Sequence, residues 1–164
     1  MSLKSNFGTF IDRSINELRT GRPIVIKENK NYWMFFNIEH SENKILNQFN
    51  KYLLKEKYIL ITKQKAQSVF NNKITSNIFL KIDDKISNKS ILNLFINPLS
   101  NQNKLLFIDV VRNKSRDFHN VCLDIAKNAK VCPSLVFKKI NSKYYKNIDN
   151  LILQLGLLKF NHKE

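Results

Sequence analysis

An α/β domain, in the α+β sense of a layered mixed sheet flanked by helices, is the fold class the sequence predicts. Two observations lead there. Short β-branched and aromatic runs alternate with segments of helical spacing along the whole chain. Hydrophobic residues make up 43% of the 164 positions, enough for one core. A single domain over residues 1–164 is expected, with its packed part spanning about 10–160.

The elements follow in order. Phe10, Ile11, Ile15 and Leu18 recur at helical spacing over 10–19, and Gly21 and Pro23 stop that helix. "PIVI" reads as a strand buried on both faces and "YWMFFNI" as its partner, with "KENKN" as the polar turn between them. Ile45, Phe49, Tyr52 and Leu53 predict a helix over 42–56, followed by the strand "KYILIT". A short helix over 63–70 turns Ala66 and Phe70 inward. "SNIFLKI" and "NKLLFIDVV" are further strands, separated by a helical turn and loop. Residues 117–130 form a helix with the stripe Val121, Cys122, Ile125 and Ala129, and Asp117 is its expected N-cap. The strand "SLVFKKI" follows Pro133, and a last helix ends near Gly156.

Composition excludes several classes. No apolar run approaches the ~20 residues of a membrane span, and the N-terminus has no signal-peptide stretch. A cytoplasmic protein is expected. Cys122 and Cys132 form no close pair and read as apolar packing. The net charge is +15, yet only five of the 28 basic residues are arginine. Scattered lysine makes a solvated basic surface that attracts nucleic acid only non-specifically. The three histidines have no metal-compatible partner at helical spacing. His119 stands out because it opens a helix, with Arg116 one turn earlier, so the two could cradle a phosphate. Asp83 and Asp84 follow a strand, where they could handle protons or a metal. Trp33 and its aromatic neighbours read as core, and no nucleotide-binding or hydrolase motif occurs.

"INELRTGRPIVI" and "MFFNIE" resemble the opening of the 3,4-dihydroxy-2-butanone 4-phosphate synthase family, with its pattern A-L-x-x-G-R-P-V-I-V and the later L-I-F-A-A-E. "DIAKNAKVCPSLVFKKI" is similar to the family's D-L-A-x-x-A-G-L-x-P helix and following strand, and "NIDNLILQLGLLKF" to its closing helix. The resemblance covers most of residues 10–160 and implies that family's fold. It also implies a link to riboflavin biosynthesis, where the family makes a four-carbon unit from ribulose 5-phosphate. The departures fall on the chemistry. The family's acidic metal-binding loop is shortened to "KENKNYW", where Glu28 is the sole carboxylate and the one metal-ligand candidate. Leu60 stands at the active-site Cys and Lys139 at the Glu of the C-E-I strand. Ungapped, Phe118 and Ser115 fall on the family's His and Arg positions. A one-residue shift gives those roles to His119 and Arg116. The middle segment T-T-G-I-S-A-x-D-R is largely missing between Asp84 and Ile91.

The expectation is a degenerate synthase-like domain without catalysis, with a structural or dimerising role, as a homodimer or beside a GTP cyclohydrolase II domain. No cofactor is expected unless activity is retained, in which case Mg2+ is. Two rivals remain open. One is a residual sugar-phosphate enzyme using Arg116, His119 and Asp83 or Asp84. The other is a small basic nucleic-acid-binding protein.

Overall fold

The computed structural model describes residues 3–40, 44–70, 74–96, 111–114, 116–132 and 134–162. The elements run α1 (Leu3–Arg19), β1 (Ile24–Glu28), β2 (Asn31–Asn37), α2 (Lys44–Phe49), β3 (Leu53–Ile61), α3 (Lys63–Phe70), β4 (Ile78–Ile82) and α4 (Asn88–Ile96). Then come β5 (Val111–Lys114), α5 (Asp117–Asn128), β6 (Ser134–Ile140), α6 (Ile148–Gln154) and β7 (Leu158–His162). The strands form one mixed sheet in the order β5-β4-β3-β6-β2-β1-β7. β1 and β7 pair in parallel, and the other neighbours are antiparallel. The α/β layered architecture is therefore the one the sequence predicts.

Strand alternation splits the core between two faces of the sheet. Ile24, Ile26, Phe35, Leu60, Phe79, Leu135 and Phe137 point to one face, where Leu18 of α1 and Phe118, Cys122, Ile125 and Ala126 of α5 cover them. Val25, Met34, Phe36, Ile59, Leu80 and Val136 point to the other, beneath α2, α3, α4 and α6. Both cysteines are free, and Cys122 is buried among the apolar side chains.

Three helices end in the same way. After α1, Gly21 takes a left-handed φ of +80°, Arg22 N–H donates to Glu17 O at 2.8 Å, and Gly21 N–H donates to Leu18 O. This 6→1 and 5→2 pairing satisfies carbonyls that the helix end leaves open. α6 repeats it around Gly156 and α5 around Lys130, a non-glycine residue at φ +55°. Arg22 then ties two of these ends together. Its Nε pairs with Glu17 at 2.7 Å and its NH2 donates to Gly156 O at 2.9 Å. The "GRP" segment thus clamps α1 to the end of α6, just before β7 runs alongside β1.

Several expectations need correction. α1 begins at Leu3, well before residue 10. The helix expected over 42–56 is shorter, because α2 and a 3-10 turn end at Tyr52 and β3 begins at Leu53. The register of β3 against β6 shifts between Leu53 and Lys57, and that irregularity breaks the period a strand shows in sequence. Asp117 is the first residue of α5 and Arg116 holds the N-cap position. The turn "KENKN" shrinks to Asn29 and Lys30, with Lys27, Glu28 and Asn31 in the hairpin strands. β7 is a strand where the sequence predicts no regular element. The strand expected over 103–111 falls mostly outside the described residues, as do Ser115 and Pro133.

Candidate functional site

The hairpin carries Glu28 to the end of β1, on the same face as Ile24 and Ile26. Its side chain is 1% exposed. A carboxylate that deep needs a partner. Arg116, at the N-cap of α5, supplies it, with NH1 at 2.6 Å from Oε1. The contact is a close ion pair rather than an aligned hydrogen bond. Half of the Arg116 side chain stays exposed, and its guanidinium lies over the Phe118 ring at 4.8 Å.

His119 sits two residues into α5 and is buried. Its Nδ1 accepts the backbone N–H of Arg116 at 3.0 Å, which closes the helix N-terminus. The ring stacks on Phe79 of β4 at 4.0 Å and lies tilted against Phe118 at 3.9 Å. Burial, and then the charge of Arg116, push its pKa down from 6.5 to about 3. The imidazole is therefore neutral at pH 7. Because Nδ1 is an acceptor, the proton sits on Nε2. Among the described residues that buried Nε2–H has no hydrogen-bond partner.

A second buried donor lies close by. Trp33 Nε1 also has no hydrogen-bond partner among the described residues. Trp33 packs on Phe79 at 5.9 Å and on Phe137 at 6.5 Å, and His119 packs on the same two rings. Lys139 Nζ lies 6.0 Å from the Trp33 ring. Farther along the sheet, Glu56 accepts from Tyr58 at 3.1 Å and from Lys81 at 3.0 Å. Those contacts, hydrogen bonds to Lys81 first, hold the Glu56 carboxyl below its usual range. On the β7 edge, His162 is the register partner of Glu28 and its ring is 6.2 Å from Phe118.

No protein-family profile matches the sequence, and neither does any curated protein. Solved structures do. A two-domain 3,4-dihydroxy-2-butanone 4-phosphate synthase from A. baumannii matches with a TM-score of 0.59 at 11% identity, over 92% of this chain. The Candida albicans synthase matches at 0.59 and 10% identity, over 92% of each chain. A synthase in complex with two magnesium ions matches at 0.56 and 7% identity. This chain has the 3,4-dihydroxy-2-butanone 4-phosphate synthase fold. It spans 55% of the A. baumannii protein's length, because that protein carries a second domain.

On this synthase fold the sequence-predicted residues divide. Glu28 joins Arg116 and His119 at the start of α5, although the sequence places it far from them. Phe118 is buried beside His119, with its ring tilted against the imidazole. Asp83 and Asp84 do not join them. Both are exposed, Asp83 closes the turn after β4 by accepting from Lys85 N–H, and Asp84 faces Lys138 at 3.9 Å. Lys138 is in register with Met34 and Lys57, which places that pair on the opposite face. There Lys57 is buried and donates to Ile86 O and Asn88 Oδ1, which holds the 83–88 turn. Burial pushes its pKa below the usual lysine value. Leu60 is fully buried core. A surface depression of about 430 Å³, lined by Tyr52, Tyr144, Asn147 and Leu151, shares no residue with the Glu28 site.

Sequence reading missed Trp33, Phe79 and His162 as members of this site. The signal for Glu28 was present in the period-2 set Ile24, Ile26, Glu28, which aims it inward. For His162 there was none, because β7 was not recognised as a strand.

The donor set does not suit the magnesium that the fold family implies. Mg2+ takes hard oxygen ligands in an octahedron. The carboxylate of Glu28 is already neutralised by Arg116, and the open nitrogen of His119 carries a proton. Among the described residues no three His, Cys, Asp or Glu side chains gather into a metal-binding group.

Proposed function

We propose that this chain is a synthase-fold domain related to riboflavin biosynthesis that no longer performs the ribulose 5-phosphate rearrangement. Its role is architectural, as a homodimer or as support for a GTP cyclohydrolase II domain. One observation carries this reading. Among the described residues Glu28 is the one buried carboxylate of the site, and the Arg116 guanidinium held against it sets a positive charge where a catalytic cation would need to approach. The lysine at 139, beside Trp33, adds positive charge where the resemblance calls for a carboxylate.

The opposing reading is a residual sugar-phosphate enzyme. It draws on the convergence of Glu28, Arg116 and His119. Incubation with ribulose 5-phosphate and Mg2+ separates the two. Formate should stay at the protein-free background. Formate released in proportion to protein would overturn the architectural reading. Light scattering should give about twice the 19.4 kDa chain mass, and a stable monomer would remove the dimer from the proposal.

A further inference from the structure

On the sheet face opposite Glu28, two 3-10 turns meet. Asn50–Tyr52 leads into β3, and Ser142–Tyr144 follows β6. Asn141 N–H donates to Tyr52 O at 2.9 Å and ties the two turns together. Their last residues, Tyr52 and Tyr144, stand at 86° with ring centres 4.9 Å apart. Tyr52 also packs on the buried Phe49 at 5.5 Å, so this aromatic corner is held before any ligand arrives. α6 supplies the third wall. Asn147, Asn150, Leu151 and Gln154 recur at i, i+3, i+4 and i+7, a single stripe that begins just before the helix. The depression they enclose with the two rings holds about 430 Å³, the size of a small-ligand pocket.

The chemistry of the walls is selective. Each of the three carboxamides offers a donor and an acceptor, and the two phenols offer flat apolar surface. Among the described residues no carboxylate lines the depression. Asp149, the acid of α6, is paired with Lys159 of β7 at 2.6 Å. Two lysines mark the rim. Lys51 Nζ lies 5.0 Å from the Tyr52 ring centre and Lys143 Nζ 4.9 Å from that of Tyr144. A neutral sugar would leave both ammonium groups unused. An inorganic anion would leave the rings and the carboxamides unused. A nucleotide uses all of them: carboxamides pair with base edges, aromatic rings stack on bases, and ammonium groups meet phosphate as point charges.

We propose that the corner between Tyr52, Tyr144 and α6 binds a nucleoside monophosphate. The base enters the corner, the carboxamides of Asn147, Asn150 and Gln154 read its edge, and Lys51 and Lys143 hold the phosphate at the rim. The site shares no residue with the Glu28 cluster and needs neither loss nor retention of the synthase reaction. The formate assay and the experiment below therefore fail independently.

The experiment is nuclear magnetic resonance on the whole chain at pH 7 and about 0.15 M salt, where weak attraction between exposed charges is screened. Adenosine monophosphate and uridine monophosphate are titrated in parallel. Saturation by either, with shifts of the Tyr52 and Tyr144 ring signals and of the three side-chain amides, supports the site. Ribose 5-phosphate and inorganic phosphate, which lack the base, should bind at least about tenfold more weakly. Asn150→Asp and Lys143→Glu alter exposed positions that the fold tolerates. Each sets a negative charge against the phosphate and should weaken nucleotide binding by about tenfold. Three results would each overturn the proposal. One is no saturation by either nucleotide at about 10 mM. Another is equal affinity for ribose 5-phosphate. The third is full affinity in folded N150D and K143E.

Discussion

At the scale of single residues, the ion pair between Glu28 and Arg116 and the cap made by His119 set the behaviour of the site. Arg116→Ala strands a carboxylate that is 1% exposed. The expected loss is about 3 kcal/mol in urea unfolding, and Glu28→Gln on the same background should recover most of it. A double-variant loss equal to the sum of the two single losses would show that the pair is not coupled. His119 gives a pH signature. Its folded pKa is about 3 against 6.5 for the free side chain, so the unfolded chain binds a proton that the folded chain refuses. Its contribution to stability is complete above pH 6.5 and is lost as pH falls toward 3. His119→Asn should flatten the urea midpoint over that window, after correction for the carboxylates. Glu28 continues the inward period-2 set of Ile24 and Ile26, but the sequence places it in the polar segment KENKN, which reads as a turn. Its neighbours Lys27, Asn29 and Lys30 are polar, and only the pairing of Glu28 with Asn31 in the hairpin puts it inside.

At the scale of elements, helix ends carry the clearest predictions. Gly21 sits at φ +80°, and a Cβ there would lie 2.7 Å from the His40 side chain. Gly21→Ala should cost about 2 kcal/mol, by strain in the left-handed conformation and by displacement of His40. Lys130 occupies the equivalent position after α5 at φ +55°. Lys130→Gly relieves a penalty that non-glycine residues carry there and should add about 0.5–1 kcal/mol, read as a higher urea midpoint. Strong periodicity made α3, α5, β2 and β6 legible. The irregular register of β3 and the brevity of β7 hid the two segments that were misread, since a five-residue strand carries little periodic signal.

At the scale of the whole molecule, a charge of +15 spread over 23 lysines and five arginines predicts weak, indifferent attraction to nucleic acid. Retention on duplex DNA should vanish by about 0.2 M salt and show no sequence preference. Sequence-selective binding in a competition assay at physiological salt would revive the nucleic-acid reading. Among the described residues no helix is long and apolar enough to cross a membrane.

By itself the sequence determined the layered α/β class, the apolar faces of its regular elements and the likeness of its framework to the synthase family. These are properties of local period and of residue order, which a chain carries before it folds. Only the tertiary structure decided that Glu28, Arg116 and His119 meet, that Asp83 and Asp84 lie on another face, and that β7 completes the sheet beside β1. Each of those facts depends on pairing between segments distant along the chain. Their physical origin is the burial of two apolar faces at once, and no local pattern encodes which residues that burial brings into contact.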